Sequence, residues 1–380
     1  QMVKVGMAAG EASGDMLAGL LLGGLHANGV AIETVGIGGP KMAAHGFRAW
    51  WSYQELAVRG YVEVLRHYRR IIGIRKQLLA RLLADPPDLF IGVDAPDFNL
   101  DLERHLRASG VKTVHFVSPS IWAWRPERIE KIRSACDHVL CIFPFEVALY
   151  EAAGIPATYV GHPLADVYPF IPDRRAARQS LGLSEDGPLV ALLPGSRTAE
   201  IKFLMADFLA AAVLIHSQKP ATRFVIPAAP GQLPLIKQAV ARAGLGRCDW
   251  IHIVDGQSGL ALTASDCTII ASGTATLEAA LAKCPMVIAY KMPTISWWIM
   301  RRKRLQPWVG LPNILANRFI APELLQSAVT PDRLAHEALR WLSSPAEHHD
   351  ACIEFDRLHR ILKMDTATVA SHAIQKILAS

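Results

Sequence analysis

The stretch Asp266–Ile288, DCTIIASGTATLEAALAKCPMVI, decides the fold of this chain. An apolar, β-rich run enters a Ser-Gly-Thr turn, a short helical pattern follows, and a second apolar run closes the segment as a βαβ unit. Ser272, Gly273 and Thr274 place small side chains and free backbone N–H groups at the helix start, where the helix dipole favours an anion such as phosphate. Glu278, one turn deeper, is placed to accept hydrogen bonds from sugar hydroxyls, as the acidic residue of a dinucleotide fold does for ribose. A nucleotide diphosphate suits this seat. An ordinary strand-to-helix turn with Thr274 as N-cap is the alternative that the segment alone leaves open.

Outward from this unit the same alternation recurs. Short β-rich runs at Val3–Ala8, Thr34–Ile37, Leu89–Val93, Thr113–Val117 and His138–Ile142 are separated by helical patterns. A second series follows at Leu189–Leu193, Arg223–Pro227, Trp250–Val254, Cys267–Ala271 and Met286–Tyr290. Strands alternating with helices predict parallel sheets with crossover helices, an α/β fold. Gly161–Arg175, GHPLADVYPFIPDRR, is rich in Pro and breaks the alternation as an interdomain linker. The 380 residues exceed the ~250 to 300 at which one core stops growing, which independently predicts two domains. The expected division is 1–165, 166–340, and a helical tail over 341–380 that crosses back to the first domain or to a partner subunit. Two Rossmann-like domains facing across a cleft are expected.

The chain is oily, with 51% hydrophobic and 19% charged residues, yet no run of 18 or more uncharged apolar residues exists to span a bilayer. Surface contact with lipid is the expectation. Met2–Asp15 reads as a strand entering a Gly-rich turn and not as a signal peptide, so a cytoplasmic chain is expected. Six cysteines without a CxxC pair or zinc spacing read as buried free thiols. A net charge of +6 favours an anionic partner.

In open α/β sheets ligands bind beyond the carboxyl ends of the strands, so the strand exits carry the candidates. The first strand exits into GEASGD (Gly10–Asp15), where Ser13 can cap the next helix; the second exits into GIGGPKM. The Leu89–Val93 run exits into GVDAPDFN, with Asp94 at the tip and Asp97 three residues on. A carboxylate there can act as general base. Asn99 reads as a helix cap, Asp97 stands open between cap and base, and Asp94 has no capping duty. VSPSIWAWRPERI (Val117–Ile129) clusters Trp122, Trp124 and Arg125 beside a Pro-bounded turn; tryptophan pairs are more often core than ligand contacts, but a loop and not an apolar face carries these two. PGSR (Pro194–Arg197) ends in a guanidinium suited to phosphate.

GEASGD at Gly10, GGPKM at Gly38, GVDAPDFN at Gly92, VSPSIWAWR at Val117, FPFE at Phe143, GHPLAD at Gly161, LLPGSR at Leu192, SGTATLEAALAKCPMV at Ser272 and LPNILA at Leu311 together resemble, in order, the landmarks of the bacterial lipid-A-disaccharide synthases. Those are UDP-sugar glycosyltransferases of the two-Rossmann-domain GT-B type. The resemblance implies transfer of 2,3-diacylglucosamine from UDP to 2,3-diacylglucosamine 1-phosphate (lipid X), giving a β-1,6 disaccharide and UDP. It implies that Asp94 takes the acceptor's proton, and that Arg197 with the Ser272–Thr274 amides stabilises the leaving diphosphate. Glu278 would bind the ribose. Ser13, Trp124 and Asn313 are carried as further substrate contacts. No cofactor and no metal are expected, UDP being a leaving group. Another UDP-GlcNAc enzyme of the same plan, a 2-epimerase or a transferase with a different lipid acceptor, is the alternative. A basic membrane- or nucleic-acid-binding protein is a third reading, and the absence of a basic recognition helix argues against nucleic acid.

Acylated substrates give the oily surface a use at the inner membrane. Arg59–Leu83 mixes Val62, Leu65, Tyr68, Ile71 and Ile72 with seven Lys or Arg and one acid. It reads equally as a basic interfacial helix or as a helix packed on the first sheet with a solvated basic face. Trp297 and Trp298 precede four successive cations as a second candidate. A homodimer is a further expectation, and His162 reads as a satisfied hinge residue.

Overall fold

The computed structural model describes residues 2–56, 64–119, 127–292 and 308–380. The chain forms two compact units, Gln1–Asp166 with Ile361–Ser380, and Val167–Arg360. Among the described residues the first contains seven strands: β1 Val3–Ala9, β2 Ile32–Gly38, β3 Arg48–Ser52, β4 Leu89–Val93, β5 Lys112–Phe116, β6 His138–Cys141 and β7 Ala157–Tyr159. Their order across the sheet is β3-β2-β1-β4-β5-β6-β7. The second unit contains β8 Leu189–Leu193, β9 Arg223–Ala228, β10 Ile251–Asp255, β11 Cys267–Ala271, β12 Met286–Tyr290 and β13 Glu323–Leu325. Here the order is β10-β9-β8-β11-β12-β13. Every pairing among the described residues is parallel.

Both sheets are doubly wound, so each reverses its strand order once, beside its first strand. In the first unit the reversal lies between β1 and β4, registered Ala9 to Val93. In the second it lies between β8 and β11, registered Ile270 to Leu193. The loops leaving those four strands therefore converge in two pairs.

The inner strands LFIGV, LVALL and CTIIA are buried at every position, as strands covered by helices on both faces must be. The strands that the hydrophobic pattern does not announce, β3, β7 and β13, are sheet edges. None of their residues is fully buried, which leaves them short of the continuous apolar run that marks an inner strand. The helix Val64–Ala84 turns Ile74, Leu78 and Leu82 to the core at four-residue intervals.

The tail divides at Arg360 and Ile361. Its last helix, Thr366–Ala379, lies on the helix Ala12–Ala27, so close that a Cβ on Gly24 would stand 2.4 Å from the Ala367 carbonyl oxygen. Asn28 donates to the Ser371 hydroxyl at 2.8 Å beside that contact. His162 is buried at the unit's end: its N–H donates to Leu362 O at 2.9 Å, and its Nδ1 accepts from Leu164 N at 3.2 Å. All six cysteines are free thiols.

Candidate active site

In the first unit the β1 and β4 exits meet. Gly10 allows this, because a Cβ there would press to 3.0 Å from that of Ala95. Asp94 follows β4 in the left-handed region (φ 52°), as does Ala95 (φ 42°). Such backbone costs about 1 to 3 kcal/mol per residue and persists only where the surroundings hold it. Two hydrogen bonds do so: Asp94 N donates to Phe116 O of β5 at 2.8 Å, and Asn99 Nδ2 donates to Asp94 O at 2.9 Å. The same Asn99 amide reaches Ala8 O of β1 at 3.1 Å and ties the two strands at the reversal. Asn99 is thus a buried brace and not the helix cap; Ala95 occupies that place, with Pro96 in the first turn.

Burial raises the Asp94 pKa, as does Glu11, while His115 and the Ala95 N–H pull it down; the net direction is up. The two carboxylates of the loop part company here. Asp97 is exposed and forms an ion pair with Arg128 at 2.7 Å. Asp15 accepts from the N–H groups of Gly39, Lys41 and Met42, each at 3.0 Å. This explains GEASGD and GGPKM together: one carboxylate satisfies the start of the short helix Pro40–Ala43. Ser13 caps nothing. The helix begins at Ala12 with Glu11 as N-cap, which leaves Ser13 exposed in the first turn.

In the second unit the exits of β8 and β11 enclose a pocket of about 320 Å³, lined by Gly195, Ser196, Glu200, Ser272–Thr274 and Glu278 among others. The helix Thr274–Leu281 starts at the pocket wall with Gly273, not Thr274, as N-cap. Gly273 holds φ 152° with nothing within 4 Å of an added Cβ, so its backbone faces open space. Ser272 Oγ reaches Val309 O at 3.5 Å. Glu278 accepts from Tyr168 OH at 3.2 Å; burial raises its pKa and that hydrogen bond holds the rise back. Glu200, which sequence reasoning passed over, sits in the first turn of the helix Thr198–Gln218 and accepts from Ser196 N at 3.2 Å. Burial raises its pKa against the Ser196 and Arg197 N–H groups and the Arg197 charge. Its sequence signal was a Glu in the turn after PGSR. Arg197 is the exposed N-cap of that helix and does not line the pocket.

Asn313 is placed otherwise than expected. It is fully buried, its Oδ1 accepting from Ile320 N and Ala321 N at 2.7 and 2.9 Å and its Nδ2 donating to Ala321 O and Glu323. With every polar atom engaged, it has none to offer a ligand. Glu323 in turn accepts from Val309 N and Gly310 N, so Asn313 supports the segment that Ser272 touches. Leu65 and Tyr68, 66% and 60% exposed, lie near the start of the helix Val64–Ala84, whereas Ile71 and Ile72 are half-buried and Ile71 packs on the core. Val62, Trp124, Trp297 and Trp298 lie outside the described residues.

Residues 5–374 match the family described as lipid-A-disaccharide synthetase. The chain belongs to the lipid-A-disaccharide synthase family. Similar synthases include that of Albidiferax ferrireducens, 56% identical over 100% of this chain and 98% of its own. Those of Paraburkholderia xenovorans (50%, covering 99% and 96%) and Burkholderia pseudomallei (49%, covering 100% and 97%) are comparable. Membership places the chain among the UDP-sugar glycosyltransferases of lipid A disaccharide synthesis. The UDP-GlcNAc 2-epimerase of Neisseria meningitidis, solved bound to UDP-GlcNAc, shares the fold at a TM-score of 0.63, covering 100% of both chains, but only 10% of the sequence. That of Methanocaldococcus jannaschii, in complex with UDP-GlcNAc and UDP, gives 0.58 and 10% over 100% of both chains. The likeness to the epimerases is one of architecture, and an epimerase reading is not favoured. Among the described residues no helix is long and apolar enough to cross a membrane.

Proposed function

We propose that this synthase-family chain performs a single inverting displacement, with Asp94 as general base and the pocket of the second unit as the seat of the donor's diphosphate. The acceptor's 6-hydroxyl oxygen bonds to the anomeric carbon of UDP-2,3-diacylglucosamine while the bond from that carbon to the diphosphate breaks. The hydroxyl proton passes to Asp94, and UDP leaves. The carrying observation is the unlike construction of the two strand reversals: one offers a strained, half-buried carboxylate, the other a glycine-opened helix start. A raised Asp94 pKa brings the base closer to working pH, which favours proton transfer. The Gly273 and Thr274 N–H groups and the helix dipole receive the developing negative charge. Arg197, exposed at the neighbouring helix start, is the proposed cation for the same phosphates, and Glu278 accepts from the ribose.

The test is Asp94→Asn. Turnover should fall by about 10² to 10⁴, the span of general-base catalysis, with UDP affinity within about twofold. Near-normal turnover would remove Asp94 from the role. We propose also that the start of the helix Val64–Ala84 meets the membrane surface, since Leu65 and Tyr68 stand exposed among Arg66, Arg69 and Arg70.

A further inference from the structure

Beneath Asp94 lies a second pair of ionisable groups with no assigned task. His115 is on β5 and Glu103 on the helix Pro96–Ala108; both are fully buried, with His115 Nδ1 2.8 Å from Glu103 Oε2. A charged pair in a sheet interior is costly and weak support for stability alone. The neighbouring backbone is cut to fit it. Gly92, registered against His115, leaves room for the pair, since a Cβ there would stand 2.6 Å from Glu103 Oε2. The outer atoms, His115 Nε2 and Glu103 Oε1, are buried without a partner among the described residues. Desolvation, the largest single influence, would lower the imidazole's pKa, but the Glu103 carboxylate, Asp94 and the Val117 backbone together outweigh it and His115 stays raised; burial raises Glu103 against the pull of His115.

We propose that His115, held by Glu103 and directly preceding the Phe116 whose carbonyl takes the Asp94 N–H, is the positioning residue of Asp94: a buried imidazolium behind the strand pairing that seats the aspartate at the β4 tip. The inference rests on the reading of Asp94 as base. Other ionisable groups on the elements packed here are Glu11 and Asp15 after β1, Arg75 on the helix Val64–Ala84, Asp97 beside Asp94, Arg128, and the Cys136 thiol. Of these, Glu11 acts on Asp94 in the opposite sense to His115, and Arg75 and Arg128 are engaged by Asp101 and Asp97. Asp94 also counts among the charges that raise His115, so the coupling runs both ways.

The experiment is the pH profile of kcat/KM for His115→Gln, Glu103→Gln and Asp94→Asn, with each thermal midpoint measured. Loss of the imidazolium should move the acid limb to higher pH by about one unit, the size of effect one opposite charge exerts at short range. The expected kcat loss in the first two variants is about tenfold, with donor KM within twofold. A His115→Gln enzyme that is folded and keeps the wild-type profile overturns the inference. If Asp94→Asn turns over normally, it is the base assignment that fails instead. Should the His115 and Glu103 variants not fold, nitrogen-15 histidine spectra of the wild type decide. An imidazolium at neutral pH whose signals shift in Asp94→Asn supports the pair's role; a neutral ring indifferent to Asp94 refutes it.

Discussion

Replacing Asn99 with alanine tests the framework under Asp94 without touching an ionisable group. Asn99 is fully buried, and its amide donates to Ala8 O at 3.1 Å and Asp94 O at 2.9 Å. Its Oδ1 has no partner among the described residues, so the loss falls on the donor side. Each lost bond removes about 1 kcal/mol, and a carbonyl left without a donor in the interior costs about 1 to 3. Two such bonds put the destabilisation at about 2 to 6 kcal/mol. For a folding unit of this size each kcal/mol lowers the midpoint by about 2 to 4 °C, so a fall of roughly 4 to 24 °C is expected in a calorimetric scan. Activity should suffer separately, because the left-handed Asp94 and Ala95 then lose a main restraint. In a UDP-release assay kcat should drop more than about tenfold with donor KM within twofold, the donor pocket lying in the other unit. A midpoint within about 2 °C of wild type together with kcat within twofold would refute the reasoning.

Gly273→Ala adds a methyl group that meets no atom within 4 Å, yet φ 152° is glycine's territory. The strain of about 1 to 3 kcal/mol should tilt the helix start and weaken UDP binding about tenfold by titration calorimetry; unchanged affinity would place the diphosphate elsewhere. Burial lowers the pKa of His162 from 6.5 to about 4. Between those values the unfolded chain binds the proton and the folded one does not, so stability falls as pH drops through this window, by up to about 3 kcal/mol. His162→Gln should flatten the midpoint-against-pH curve from 6.5 to 4, and an unaltered slope would assign that acid sensitivity to other groups. Leu65→Glu with Tyr68→Glu, both exposed, should leave the thermal midpoint within about 2 °C while cutting sedimentation with anionic vesicles at least tenfold; full sedimentation would remove this helix from the lipid contact.

The inner strands were legible because a strand covered on both faces must be apolar at every position, as in LFIGV, LVALL and CTIIA. The edge strands were not: RAWWS, ATY and ELL have no fully buried position, so their periodicity is weak. Asp94 and the Ser272–Thr274 turn stood out because strand-exit loops carry their chemistry in short, local patterns. Asn313 in LPNILA carried the same kind of signal and turned out committed to Ile320, Ala321 and Glu323. A motif records that a residue is needed, without saying whether it faces ligand or backbone.

By itself, then, the sequence determined the two runs of parallel-sheet elements, the helix start that can seat an anion, and the family to which the chain belongs. These are properties of spacing and order along one strand of chain. Only the tertiary structure decided that Asn99 laces β1 to β4, that Asp15 closes the helix after β2, that Glu200 joins the pocket and that Glu103 meets His115. Each of those pairings depends on which strands lie side by side, and that neighbourhood is set by burying both faces of the sheet at once.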